Sequence, residues 1–303
     1  MKSILTLVIL IFFNSVFGQQ QHVSKGSIKV YPVFKSNLVD SRTVAVWLPN
    51  GYSAKKKYAV VYLNDGQMLF DANSTWNKQA WEIDEIFDKL LSEKKIKNCI
   101  VVGIWNNGDF RHSEYFPEKI IKNIPEKTRK ILVEEQLMKK PQADNYLAFI
   151  TTELKPFIDK NFSSIASPES TFIGGASMGG LISLYAICEY PNVFGGAICM
   201  STHLPMTKNE KLAMVVESDL ASKFRDYLQV HLPNPETHKI YMDHGDQTLD
   251  QYYKFFQEKV DAVLLEKGFT SKNWISKVFP GDDHSEKSWS KRMHIPVEFM
   301  LKP

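Results

Sequence analysis

Residues 172–180 read Phe-Ile-Gly-Gly-Ala-Ser-Met-Gly-Gly, which sets Ser177 inside a complete G-x-S-x-G, Gly175-Ala176-Ser177-Met178-Gly179. An apolar stretch, Thr171 to Ile173, leads in, and a helix-like run, Leu181 to Tyr190, leads out. Strand, sharp turn and helix form the context in which a serine hydroxyl stands clear of the backbone as a nucleophile. The glycines let strand and helix approach closely. The helix N-terminus then offers unpaired N–H groups to a developing negative charge. By itself the motif also fits a glycine-rich turn in any α/β protein, so its partners matter.

A serine hydroxyl needs a neighbouring base. Behind such an elbow the chain order is Ser, acid, His. Of the 8 histidines, those up to His244 come too early, which leaves His284 and His294. His284 lies in Pro280-Gly281-Asp282-Asp283-His284-Ser285, a polar loop directly after the last expected strand, and is the candidate base. His294 falls inside the final expected helix. The acid belongs in the loop after the penultimate strand, Asp243 to Gln251, where it would hold the imidazole tautomer. Asp250 is the first choice and Asp246 the alternate, although Asp250 also fits a helix N-cap. Asp243, at the strand end, reads as structural. The oxyanion hole needs two backbone donors. One is the N–H of Met178. The other is assigned to Gln67, with Gly66 as fallback, in Asn64-Asp65-Gly66-Gln67-Met68. Those five residues also fit a plain turn.

These residues need a scaffold. Residues 27–36 and 41–49 alternate like antiparallel strands, while Tyr58 to Leu63 and Asn98 to Ile104 are continuous apolar runs typical of buried strands. Further strands are expected at Phe194–Met200, Lys239–Met242 and Trp274–Phe279. Helices are expected at Trp81–Leu91, Tyr146–Phe157, Tyr252–Leu265 and residues 288–301. Strands alternating with helices imply an α/β fold, a mostly parallel central sheet with helices on both faces. One domain over 27–303 fits the length. Residues 106–145 break the rhythm. They are polar and Pro-punctuated, and read as an excursion over the strand tips, a candidate lid or a plain surface insertion.

Met1 to Gly18 has the pattern of a signal peptide: Lys2, an apolar stretch from Ile4 to Phe13, and a small residue at Gly18. Export to the periplasm or medium is the expectation, with no membrane span in the mature chain. A net charge of +3 is too small to imply nucleic acid. The 3 cysteines, Cys99, Cys188 and Cys199, lie in apolar segments without metal-ligand spacing, either as one bridge with one thiol or as three thiols. Trp76, Trp81, Trp105 and Trp289 are either core or stacking surfaces.

With these pieces placed, the chain resembles the putative-esterase branch of the α/β-hydrolases, which includes esterase D, enterochelin esterases and feruloyl and acetyl xylan esterases. The carrying segments are Val61 to Gln67, Val102-Gly103-Ile104 with Arg111 and Glu114-Tyr115-Phe116-Pro117, Glu153 to Asp159, Gly174 to Gly180, and Phe279 to Trp289. The resemblance implies the α/β-hydrolase fold and a serine esterase acting on small-molecule or carbohydrate esters without metal or organic cofactor. Ser177 and His284 match the branch's nucleophile and base. It also implies Arg111 and Tyr115 as substrate contacts at the site mouth. Two features depart: Asp65-Gly66 stands where many relatives have His-Gly, and the acid loop varies across the branch. The rival expectations are a trilactone siderophore esterase, an acyltransferase to a sugar acceptor, and a non-catalytic binding module. Oligomeric state is not legible.

Overall fold

A computed structural model describes residues 21–138, 140–207 and 219–303; the leader expected over residues 1–18 lies outside them. Eight strands build one sheet: β1 Ser27–Phe34, β2 Arg42–Leu48, β3 Ala59–Asn64, β4 Cys99–Ile104, β5 Thr171–Ala176, β6 Gly196–Met200, β7 Lys239–Gly245 and β8 Trp274–Phe279. Their order is β1-β2-β4-β3-β5-β6-β7-β8. β1 and β2 pair antiparallel with their neighbours, and every other pairing is parallel.

β3, β4 and β5 are buried along their whole length, as continuous apolar runs demand when both faces are covered. Alternate residues serve opposite faces. Val60, Tyr62 and Val102 join one core, while Val61, Leu63 and Val101 join the other. The edge strands β1 and β8 are only partly covered.

The helices are α1 Ile83–Ser92, α2 Arg111–Tyr115, α3 Glu126–Ile131, α4 Ala143–Ala148, α5 Lys155–Asn161, α6 Met178–Glu189, α7 Asp219–His231, α8 Lys254–Glu266, α9 Glu286–Arg292 and α10 His294–Leu301. α4 runs into α5 through a π-helical segment, Phe149–Leu154. The expected final helix is two, α9 and α10. Pro296 cannot donate to the carbonyl of Arg292, and its ring crowds that turn, so the helix breaks at Met293. α7 was not anticipated, although Leu220, Phe224, Tyr227 and Leu228 recur at helical spacing and are its buried face.

Residues 106–145 are anchored more deeply than their polar composition suggests. Tyr115, Phe116, Ile120, Leu132 and Leu137 are at most 1% exposed and join the core on one face of the sheet. Scattered apolar residues without a long periodic run still pack one by one. Cys99, Cys188 and Cys199 are free thiols in the interior, where burial pushes each pKa up.

The chain crosses over at β3. β4 lies on one side of it and β5 on the other. A crevice opens at the carboxyl ends of the strands at such a switch point, and ligands of open α/β sheets bind there. The Asn64–Met68 loop and Ser177 both leave the sheet at that place.

Candidate active site

Ser177 joins β5 to α6 with φ 57° and ψ −122°. This is a sparsely populated backbone conformation for a residue with a Cβ, held only by its surroundings. Its N–H donates to Met200 O on β6 at 3.0 Å, and its carbonyl accepts from Leu181 N and His203 N, each at 3.1 Å. The elbow also needs backbone contact across the turn. A Cβ on Gly175 would lie 2.8 Å from Gly179 C, so only glycine fits there. Met178 opens α6. Its N–H belongs to the first turn, whose donors have no intrahelical acceptor.

His284 sits in the loop between β8 and α9. Its Nδ1 donates to Asp250 Oδ1 at 2.5 Å. The other carboxylate oxygen, Oδ2, accepts from Ser201 Oγ at 2.6 Å and from Gly245 N at 2.7 Å. Asp250 is 0% exposed. Burial by itself would raise its pKa, but the bond to His284 and that histidine's charge, with the bonds from Ser201 and Gly245, carry it below the usual carboxylate value. An ionised carboxylate accepts only, so Nδ1 carries a proton, and in the neutral ring Nε2 presents a lone pair. Tyr253 and Trp289 meet the imidazole edge-on, at centroid distances of 5.7 and 5.0 Å.

The two loops that carry this pair are joined along their backbones. Asp246 N and Gln247 N both donate to Asp282 O, and His284 N donates to Thr248 Oγ1 at 3.0 Å. Asp246, the alternate acid, instead accepts from Gly281 N at 2.8 Å and from Gln247 Nε2 at 2.8 Å. Asp243 is structural as expected. It is fully buried, accepts from Tyr241 Oη at 2.8 Å and pairs with Arg292 at 3.2 Å. Arg292 also reaches Asp282 at 2.9 Å and Ser201 Oγ at 2.8 Å. His294 lies exposed at the start of α10, where its Nδ1 meets Lys291 O.

On the other side of the cavity stands the β3 loop. Asp65 is left-handed at φ 56°, and Gly66 to Met68 form one 3₁₀ turn. A Cβ on Gly66 would fall 2.6 Å from Gly103 C on β4, so the loop lies directly on the neighbouring strand. Gln67 lines the cavity, and its Oε1 accepts from Asn106 N at 3.2 Å. Asp65 holds Arg111 in a two-point ion pair, Nε to Oδ1 at 2.7 Å and a terminal nitrogen to Oδ2 at 2.8 Å.

One expectation for the mouth changes in consequence. Arg111 does line the cavity, with its charge matched by Asp65. Tyr115 is no substrate contact: it is 0% exposed, its hydroxyl accepts from Asp65 N at 3.3 Å, and its ring packs on Tyr146. The Glu114 beside it is buried against Arg42.

Ser177 and His284 line the same cavity, about 480 Å³ in volume, with Gln67, Trp76, Arg111 and Glu286. Trp76 is 84% exposed there. The rest of the lining mixes uncharged polar groups, Asn77, Gln79, Asn106 and Ser285, with the apolar side chains of Met68, Trp81 and Trp289. With Arg111 paired to Asp65, the remaining full charge is the carboxylate of Glu286, which accepts from Asn77 Nδ2 at 2.7 Å. Sequence reasoning missed Ser201, Arg292 and the role of Trp289. Ser201 is a polar residue closing an apolar strand, and no spacing motif ties it to Asp250. No helix among the described residues is long and apolar enough to cross a membrane.

The sequence model of a family described as Putative esterase matches residues 36–295. The Bacillus subtilis protein YbbA, named only as uncharacterized, is 23% identical over 267 residues, covering 86% of this chain and 92% of its own length. Among solved structures, the feruloyl esterase module from Clostridium thermocellum, complexed with sinapinate, superposes with a TM-score of 0.63 at 16% identity, over 93% of this chain and 90% of that one. Enterochelin esterase from Shigella flexneri superposes with a TM-score of 0.65 at 14% identity, over 92% of this chain and 59% of that one. At such identities the structural likeness speaks to the fold, which is that of the α/β-hydrolase esterases.

Proposed function

This chain belongs to the putative esterase family and is a carboxylic ester hydrolase; we propose that it works through an acyl-enzyme on Ser177, with His284 as base and Asp250 as its orienting acid. The observation that carries the reading is one cavity bordered by both the strained Ser177 and a His284 that is bonded through Nδ1 to a buried carboxylate.

His284 Nε2 takes the Ser177 Oγ proton as the oxygen attacks the ester carbonyl. The charge that develops on the carbonyl oxygen is met by the N–H groups of Met178 and Gln67. His284 then protonates the departing alcohol. Water enters, gives its proton to His284 and releases the acid from Ser177. Asp250 stays ionised throughout and stabilises the imidazolium.

The lining supports an uncharged, hydroxyl-bearing substrate. An exposed indole offers a face for a sugar or phenolic ring, and planar amides beside it can bond hydroxyls. The paired Arg111 and the carboxylate of Glu286 disfavour a polyanionic siderophore. We therefore favour acyl groups on carbohydrate or small alcohols. Export is part of the same reading and rests on Met1 to Gly18. Ser177→Ala should fold normally and lose hydrolysis of a p-nitrophenyl short-chain ester. Turnover retained in that variant removes Ser177 as nucleophile. A panel of acetylated xylan, feruloyl sugars, a trilactone siderophore and aryl esters then ranks the substrates, and added acceptor alcohols test for acyl transfer.

A further inference from the structure

We propose that Gln21 is a positioning residue for the oxyanion hole, its carboxamide holding the Gly66–Gln67 peptide so that the Gln67 N–H is presented to the cavity of Ser177. The inference rests on the reading of Ser177 as nucleophile. Gln21 is 2% exposed, and its Nε2 donates to Gly66 O at 3.0 Å and to Gln67 O at 3.3 Å. The Gly66 carbonyl and the Gln67 N–H belong to one peptide unit. In a planar trans peptide those two groups point in opposite directions. A donor that holds the carbonyl from one side therefore sends the N–H out on the other.

Gly66 makes an anchor necessary. It must be glycine because a Cβ would strike Gly103, yet glycine leaves the adjoining peptide the softest in the loop. The bond at the carbonyl also polarises the amide and strengthens its N–H as a donor. Gln21 is itself held in reach by the segment that follows. Ser24 N and Lys25 N donate to Asp84 Oδ2 at 2.7 and 3.0 Å, and Trp47 Nε1 donates to Lys25 O at 2.7 Å.

The test compares the wild type, Q21A, Q21E and Ser177→Ala on p-nitrophenyl acetate across pH, with thermal melts alongside. Losing one oxyanion donor outright costs about 10²–10³ in kcat, so a loosened one in Q21A is expected to cost about tenfold, with KM nearly unchanged. Q21E should be worse near neutrality, because a carboxylate cannot donate to two carbonyls. Its kcat relative to wild type should recover as the pH falls and the side chain gains a proton. Wild-type kcat in Q21A, or a Q21E ratio that ignores pH, overturns the proposal. If the wild type turns over no more ester than Ser177→Ala, the nucleophile reading has failed instead. The amide resonance of Gln67 still decides the positioning in that case: a displaced shift in Q21A supports it, and an unmoved one overturns it.

Discussion

The Ser201 hydroxyl donates to Asp250 Oδ2 at 2.6 Å, on the carboxylate oxygen that His284 leaves free. The same oxygen of Ser201 accepts from Trp289 Nε1 at 3.0 Å and Arg292 at 2.8 Å. One buried hydroxyl thus steadies both the candidate acid and the indole that borders the imidazole. Ser201→Ala leaves two buried donors without their acceptor, so it should cost about 1–3 kcal/mol of stability by urea denaturation. It should also lower kcat about tenfold, since a mispositioned acid weakens the base. Unchanged stability and kcat would show that this hub has no such role.

Asp250 and Asp246 are separable by one substitution each. Asp250→Asn removes the charge that fixes the His284 tautomer, and kcat should fall about 10³–10⁴-fold with the fold intact. Asp246→Asn keeps an oxygen for Gly281 N and should stay within about twofold of wild type, as substitutions outside the core generally do. Comparable losses in both variants would reopen the choice of acid.

His203 links stability to pH. Burial first, and then the charge of His284, pull its pKa from 6.5 down to about 4. The unfolded chain therefore binds a proton near pH 6.5 that the folded chain refuses until about pH 4. Stability is complete above that window and declines as pH falls through it, by up to about 3 kcal/mol for this group. Urea midpoints taken between neutrality and the lower end of the window should fall in the wild type and fall less in His203→Gln. Parallel profiles for the two proteins would rule the linkage out.

Trp76 tests the character of the mouth. It is 84% exposed, so Trp76→Ala should leave the melting temperature unchanged. On feruloyl or sugar esters its KM should rise about 3- to 10-fold with kcat retained, the value of one aromatic stacking contact. Equal KM values on every ester would mean that the indole touches no substrate.

Much of this molecule was legible in its residues because local spacing reports local structure. The continuous apolar runs at β3 and β4, the glycine-flanked Ser177 and the polar loop bearing His284 all follow from periodicity and turn chemistry. The break at Pro296 and the helix over Asp219–His231 are equally local signals, a proline inside a helical run and apolar residues at helical spacing. Tyr115 was different. The resemblance implies a place at the mouth, yet its ring lies in the core, where the backbone of Asp65 and the ring of Tyr146 meet it.

Chain order and residue type alone thus determined the α/β sheet and singled out Ser177 and His284 as the candidates it carries. Only the tertiary structure bonds His284 to Asp250 and Asp246 to Gly281, buries Tyr115 in the core, and brings Ser201 to Asp250 and Gln21 to the Gly66 loop. The reason is reach. Periodicity states which face of an element meets the core, but two carboxylates in one loop are distinguished by Ser201, Gly245 and His284, and those arrive from different strands and loops when the sheet assembles.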